Sequence, residues 1–189
     1  MIEISKPDNS IKFVFNEYFS SNGTMPIGDM FLRLYDPLYD LVIQNYSEEE
    51  WHLIFSNINE DNLKDLNTCV NVVILLWCDI VTGNPHGMVF LEEDYNKPSE
   101  VAVHGGTWNH TPKYYQKIFH SIIYLFDFLF KYKATIKTSC RISNIRADKF
   151  LRSLCFEETR RDELFSYKTL DKQVFEESFL INRMRLVSL

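Results

Sequence analysis

The chain has 189 residues and a mass of 22.4 kDa, with 46% hydrophobic and 24% charged residues. This composition is typical of a globular protein and excludes the disordered, collagen-like and coiled-coil classes. A domain of this size buries roughly 70% of its unfolded surface, so it needs no disulfide bonds for stability. We therefore expect one domain over residues 1–189.

Neither a membrane span nor a secretion signal is expected. The longest apolar stretches, residues 70–78 and 118–130, are too short to cross a bilayer. The N-terminus lacks the basic start and apolar run of a signal peptide. The four cysteines show no C-x-x-C spacing, which favours reduced thiols over a zinc or redox motif. Together these features predict a cytoplasmic protein.

Charge is distributed unevenly along the chain, whose net charge is −6. Residues 1–100 contain 5 basic and 17 acidic residues, whereas residues 131–161 contain 9 basic and 3 acidic residues. This asymmetry suits a protein that holds an anionic ligand in one place and a cationic one in another. Two solvated surfaces of opposite sign would give the same pattern. The overall acidity argues against nucleic-acid binding.

The first 66 residues predict a strand followed by helices. Residues 11–15 are predicted to form a short strand, and residues 30–46 a helix. A serine followed by three glutamates is typical of a helix N-terminus and predicts a helix over 47–58. A short helix is predicted over 60–66.

From residue 70 the pattern becomes strand-like. Residues 70–80 are rich in β-branched side chains and predict a buried strand, which a turn over 82–85 joins to a second strand over 87–93. Residues 101–104 predict a third short strand that ends at the glycine pair 105–106.

Helices and strands then alternate to the end of the chain. Thr111 and Pro112 are typical of a helix start, and Ser143 or Asn144 caps a later helix. The predicted elements are a helix over 112–132, a strand over 134–140, a helix over 144–154, and closing strands over 157–170 and 179–187. The strands at 101–104 and 134–140 should be parallel neighbours that splay apart, because a crossover helix joins them.

One segment carries a specific spacing of residues. Asn144, Ala147 and Phe156, followed by an acidic pair, match the pattern N-x-x-[AS]-x₇-G-F, with Cys155 at the glycine position. With the element order over 70–187, this resembles the GCN5-related N-acetyltransferase (GNAT) superfamily. The resemblance implies a single α/β domain, with a central mixed sheet and helices on both faces. Residues 1–66 would form the acceptor side.

The resemblance also implies acetyl-CoA as the donor and a set of residues that hold it. The strand around Val103 and Gly105 would supply a backbone edge for the cofactor arm and an N–H for the oxyanion. Lys113 and Tyr114, at the start of the long helix, would lie near the pyrophosphate. Asn144 would hold the cofactor arm or an ordered water, or would only cap its helix. The family signature [RQ]-x-x-G-x-[GA] precedes this helix, but residues 108–116 contain no glycine.

A base is needed to accept the proton of the amine, and three residues are candidates. His104 lies on the strand nearest the expected thioester, and its ordinary pKa suits the task. Glu92 and Glu93 are the alternatives, and they point to opposite faces of one strand, so at most one faces the cleft. No metal-ligand spacing such as H-E-x-x-H is present.

Two functions follow from the sequence. The first is an N-acetyltransferase that moves an acetyl group from acetyl-CoA to a primary amine of a small molecule or peptide. The acidic N-terminal half favours a cationic acceptor. The second is a catalytically inactive relative, kept as a binding or assembly module, which the missing glycines favour.

Overall fold

The computed structural model describes residues 10–27, 30–34, 72–94, 96–107 and 111–178. Within these ranges the helices are α1 (Ile11–Asn22), α2 (Pro112–Leu129), α3 (Ile145–Ser153) and α4 (residues 172–178). The strands are β1 (Met25–Ile27), β2 (Met30–Leu34), β3 (Val72–Asp79), β4 (Pro85–Glu92), β5 (Glu100–Thr107), β6 (Thr135–Arg141), β7 (Glu157–Arg161) and β8 (Phe165–Asp171). No helix within these ranges is both long enough and apolar enough to cross a bilayer.

All eight strands form one sheet in the order β1-β2-β3-β4-β5-β6-β8-β7. Neighbours are antiparallel except β5 and β6, which are parallel over three residue pairs that end at Ala102 and Lys137. Beyond these pairs β5 continues beside β4, and β6 continues beside β8. The predicted α/β class is therefore confirmed, as are the parallel neighbours that splay apart.

The main core lies between one face of the sheet and the helices. Val73, Leu75 and Trp77 of β3 pack into it with residues of α1, α2 and α4. Aromatic rings join the elements, with ring centroids 5.2 Å apart for Phe15 and Phe128. The alternate residues of β3 are buried too, so both faces of this central strand are covered.

The predicted hairpin of β3 and β4 is confirmed, and one carboxylate organises its turn. Asp79 Oδ1 accepts the backbone N–H groups of Val81 at 2.9 Å and Thr82 at 3.0 Å. These bonds, led by that from Thr82, lower the pKa of Asp79, and Lys117 adds to the effect. Gly83 adopts a left-handed conformation with φ 71°, which glycine takes without strain.

The prediction of a strand over residues 11–15 is wrong, because this segment begins α1. The Ser10 side chain accepts the N–H of Phe13 and so caps the helix. Ile11, Phe15 and Phe19 are buried at a spacing of four residues, which is one face of a helix. Phe13, which lies off this face, is 46% exposed.

The predicted helix over 30–46 is also wrong in its first five residues, which form β2. This strand pairs antiparallel with both β1 and β3, and pairing on two edges outweighs the weak helical pattern of so short a segment. Residues 35–46, the helices predicted over 47–66 and the strand predicted over 179–187 lie outside the described residues.

Two strand limits differ from the prediction. Gly105 and Gly106 do not end β5 but pair with β4. Glycine is suited to this place because the two strands lie close together: a Cβ at Gly105 would be 2.8 Å from the Met88 carbonyl oxygen. The segment predicted as one strand over 157–170 is the hairpin of β7 and β8. Its turn is closed by Asp162, whose carboxylate accepts the N–H of Phe165 at 2.7 Å.

Cys155 is the non-glycine residue with positive φ in the described part of the chain, at 66°. Glycine, which the pattern N-x-x-[AS]-x₇-G-F has at this position, adopts this conformation without strain. Replacing Cys155 with glycine should stabilise the protein by up to about 1 kcal/mol, because relief of left-handed strain exceeds the entropy that glycine adds to the unfolded state. Chemical denaturation would measure the gain. Cys155→Ala is the control and should give no gain; an equal gain from alanine would contradict the strain argument.

Candidate active site

The separation of β5 and β6 opens a cavity of about 350 Å³ between the sheet and helices α2 and α3. Half-buried or exposed residues form its polar mouth, which consists of Thr107, Thr138, Ser139, Asn144 and Arg146. Six of its buried lining residues form its inner end, namely Trp77, Val89, Val103, Ile118, Ile122 and Phe126; Cys140 and Phe156 are buried in its lining as well. The cavity therefore runs from a polar opening at α3 to an apolar end beneath β3, β4 and α2.

His104 of β5 contributes to the wall of this cavity. It pairs in register with Phe90, and strand alternation places it on the face opposite to that of Val103. His104 is half-buried, and burial lowers its pKa. The imidazole is therefore neutral at neutral pH and able to accept a proton.

Asn144 lies at the mouth and caps α3 in the manner expected from the sequence. Its side-chain oxygen accepts the N–H of Ala147 at 3.1 Å. The buried Lys168 of β8 holds the same helix through Asp148, at 2.7 Å. Hydrogen bonds from Lys168 and then Arg152 keep the pKa of Asp148 low. These contacts fix α3 beside the open end of the cavity.

The N-terminus of α2 offers few backbone donors to an anion. Pro112 has no N–H, and the N–H of Tyr114 donates to the Thr111 carbonyl oxygen at 3.0 Å. The Tyr114 ring packs on His86, with centroids 4.3 Å apart. Lys117 pairs with Asp79 at 3.4 Å. The backbone of Lys113 lies in the first turn of α2, and its side chain is outside the described part.

Glu92 and Glu93 do not line the cavity, because they lie at the opposite end of β4. Glu92 is exposed and pairs in register with Ala102. Glu93 is buried, forms an ion pair with Lys133 and accepts the N–H of Ile11 at 2.7 Å. Of the predicted site residues, the cavity brings together Val103, His104, Gly105 and Asn144.

Among the lining residues that were not predicted from the sequence, two have polar groups that bear on function. Arg146 lies two residues after the helix cap and places a cation at the mouth. Trp77 was assigned only to a buried strand, yet its indole lines the inner end, and its Nε1 has no hydrogen-bond partner within the described residues. The basic segment over 131–161 was a signal for Arg146, whereas Trp77 required the sheet register. Within the described ranges no His, Cys, Asp or Glu side chains group to hold a metal ion.

Comparison with known proteins gives matches among solved structures. The aminoglycoside acetyltransferase AAC(6')-Ib, crystallised with coenzyme A, superposes with a TM-score of 0.60 at 16% identity, covering 77% of this chain and 96% of that one. FdhC, described as a nucleotide-linked sugar GNAT, gives 0.60 at 15% identity, covering 85% and 96%. The Campylobacter jejuni N-acetyltransferase PseH gives 0.54 at 20% identity, covering 76% and 99%.

No protein-family model matches the chain, and no curated protein matches it either. The structural matches lie at low identity and therefore concern the fold. They share the mixed sheet and the arrangement of elements that the pattern around Asn144 predicted. The chain therefore has the fold of the GCN5-related N-acetyltransferases.

Proposed function

We propose that the protein is an N-acyltransferase that uses a coenzyme A thioester as the donor and a primary amine as the acceptor. The observation that carries the proposal is the cavity at the point where β5 and β6 separate, with His104 in its wall. Within the described residues, β5 has no strand partner on its β6 side beyond Ala102. This edge can pair with the amide groups of a pantetheine arm.

The reaction requires one bond to form and one to break. The amine nitrogen attacks the thioester carbonyl carbon, and the C–N bond forms as the C–S bond breaks. His104 accepts the proton of the attacking amine, and the leaving thiolate takes up a proton as free coenzyme A forms. A backbone N–H of β5 beyond Ala102 would bind the carbonyl oxygen as it becomes negative.

Arg146 would bind the phosphate groups of the cofactor. The α2 N-terminus is a poor anion site here, since Pro112 has no N–H and that of Tyr114 is already bonded. Arg146 stands at the cavity mouth, and its guanidinium can bind phosphate oxygens with two parallel hydrogen bonds. A side-chain cation would thus replace the glycine-rich backbone loop.

The acceptor is proposed to be a cationic small-molecule or peptide amine. One of the structural neighbours was crystallised with kanamycin as well as coenzyme A, and another is described as a nucleotide-linked sugar GNAT. Residues 1–100 are strongly acidic, with 17 acidic and 5 basic residues. An acidic acceptor side would attract an ammonium group through its electrostatic field.

Calorimetry with purified protein would test cofactor binding. Wild-type protein should bind coenzyme A, and Arg146→Ala should weaken this binding about tenfold, as expected for loss of a charge-assisted hydrogen bond. Binding of phosphate-free pantetheine should stay unchanged in this variant. Lys149→Ala is the matched control, since Lys149 is exposed on the same helix and does not line the cavity.

The same titration decides between the enzyme and the second candidate function. The scarcity of free backbone donors at the N-terminus of α2 favours a GNAT-fold binding module without a cofactor. A wild-type protein that binds no coenzyme A at millimolar concentration would support that module and contradict the transferase.

A further inference from the structure

The inner end of the cavity extends away from the gap in which a cofactor arm would lie. That gap is between β5 and β6, whereas Val89 belongs to β4 and Trp77 to β3. Adjacent strands are about 4.8 Å apart, so Trp77 lies roughly 10 Å from β5 across the sheet. A pantetheine arm paired with the edge of β5 does not occupy this space.

One glycine that lines the cavity, Gly105, and one that pairs with Trp77, Gly87, keep large side chains away from this part of the sheet. Gly87 pairs in register with Trp77 on one side and Thr107 on the other, and Gly105 pairs with Val89. Backbone lies close at both positions, because a Cβ would be 2.6 Å from the Gly106 carbonyl oxygen at Gly87 and 2.8 Å from that of Met88 at Gly105. Neither position can therefore carry a side chain that fills the cavity without a shift of the backbone.

The chemistry of the inner end fits an acyl chain. Its six lining side chains are apolar or aromatic, and each is at most 7% exposed. The Trp77 indole adds one polar group, and its buried Nε1–H has no acceptor in the described part of the chain. Buried donors without an acceptor are rare in folded proteins and call for an explanation.

We propose that the inner end binds the acyl chain of the thioester donor, and that this chain is longer than acetyl and carries an oxygen that accepts a hydrogen bond from Trp77 Nε1. The inference rests on the proposed transferase function and names its donor class. A hydroxyl or keto oxygen on a chain of medium length has the required chemistry. The group transferred to the amine is then an oxygenated medium-chain acyl group.

Binding of a series of thioesters to the full chain would test the donor class. Coenzyme A, acetyl-, butanoyl-, hexanoyl- and 6-hydroxyhexanoyl-coenzyme A would be titrated by calorimetry, because only an oxygen near the end of the chain spans the distance from β5 to Trp77. Affinity should rise from acetyl to hexanoyl by up to about fourfold for each added methylene group. The hydroxylated chain should bind roughly three- to tenfold more tightly than the plain hexanoyl chain, as one neutral hydrogen bond provides.

Two variants separate the roles of the apolar wall and the indole. Ile122→Phe narrows the inner end and should reduce hexanoyl binding more than acetyl binding, whereas Ile123→Phe on the same helix does not line the cavity and is the matched control. Trp77→Phe keeps an aromatic ring and loses the N–H. It should remove the preference for the hydroxylated chain over the plain one.

The outcomes distinguish this inference from the function on which it rests. If no thioester and no coenzyme A bind, the transferase itself is contradicted. If acetyl-coenzyme A binds as tightly as the hexanoyl form, the long-chain donor is overturned and the transferase stands. Equal binding of plain and hydroxylated chains to the wild type would overturn the role of Trp77.

Discussion

Replacing His104 with alanine is expected to lower the rate of acyl transfer by about 100-fold, the lower range for loss of a general base. The physical reason is the position of His104 on the β5 edge that borders the cavity, and the burial that lowers its pKa and keeps the imidazole neutral. Binding of coenzyme A should remain nearly unchanged. The rate would be measured as release of the free thiol with polyamine, aminoglycoside and peptide amines as acceptors.

The pH profile gives this prediction a second readout. Because burial lowers the pKa of His104, the wild-type rate should fall only below about pH 6.5, the ordinary value for histidine. The deficit of the variant should shrink at high pH, where the amine is already deprotonated. His120→Ala is the control, since His120 is exposed on α2. A His104→Ala enzyme with full activity would assign the proton transfer to another group or to solvent.

Replacing Lys133 with methionine is expected to destabilise the fold by about 3–5 kcal/mol, the usual cost of leaving a buried charge without its partner. Lys133 and Glu93 form an ion pair with both side chains at most 6% exposed. Lys133 also donates to the Pro98 carbonyl oxygen at 2.8 Å. Urea denaturation would measure the change in the free energy of unfolding.

A neighbouring lysine and a double variant complete this test. Lys131→Met should change stability by less than about 0.5 kcal/mol, because Lys131 is exposed. Adding Glu93→Gln to Lys133→Met should recover part of the loss, since the remaining group is then neutral. A Lys133→Met protein of wild-type stability would show that the pair does not hold the end of β4. Glu93 has this structural role, which argues against a role as base.

Much of the second half of the fold could be predicted because its signals are local. The β-branched run of β3, the turn at 82–85 and the cap at Asn144 each fix an element without reference to the rest of the chain. The predictions for the N-terminal elements were wrong, and for β2 the reason is that its structure depends on long-range pairing. β2 is a strand because β1 and β3 lie beside it, and five residues carry too little pattern to show that. In α1, the Ser10 cap and the four-residue spacing of Ile11, Phe15 and Phe19 indicate a helix. The short apolar run over 11–15 also fits a strand, which is why the strand was predicted.

The residues of the candidate site show the same difference between local signals and long-range pairing. His104 and Asn144 were named through the resemblance to the GNAT family, which rested on the element order and the pattern around Asn144, and both residues line the cavity. Trp77 could not be found in this way. Its place in the cavity depends on its register opposite Gly87 and on the separation of β5 from β6, and both are properties of the assembled sheet.

The short parallel contact between β5 and β6 divides the sheet into two antiparallel blocks, β1 to β5 and β6 to β8, joined by three residue pairs. A molecule whose amide groups bonded to both strands would act as a further strand between the blocks. Its binding would then add to the cohesion of the whole sheet. Ligand binding and global stability are thermodynamically linked in such an arrangement. The melting temperature should therefore rise with the concentration of a ligand that binds between β5 and β6.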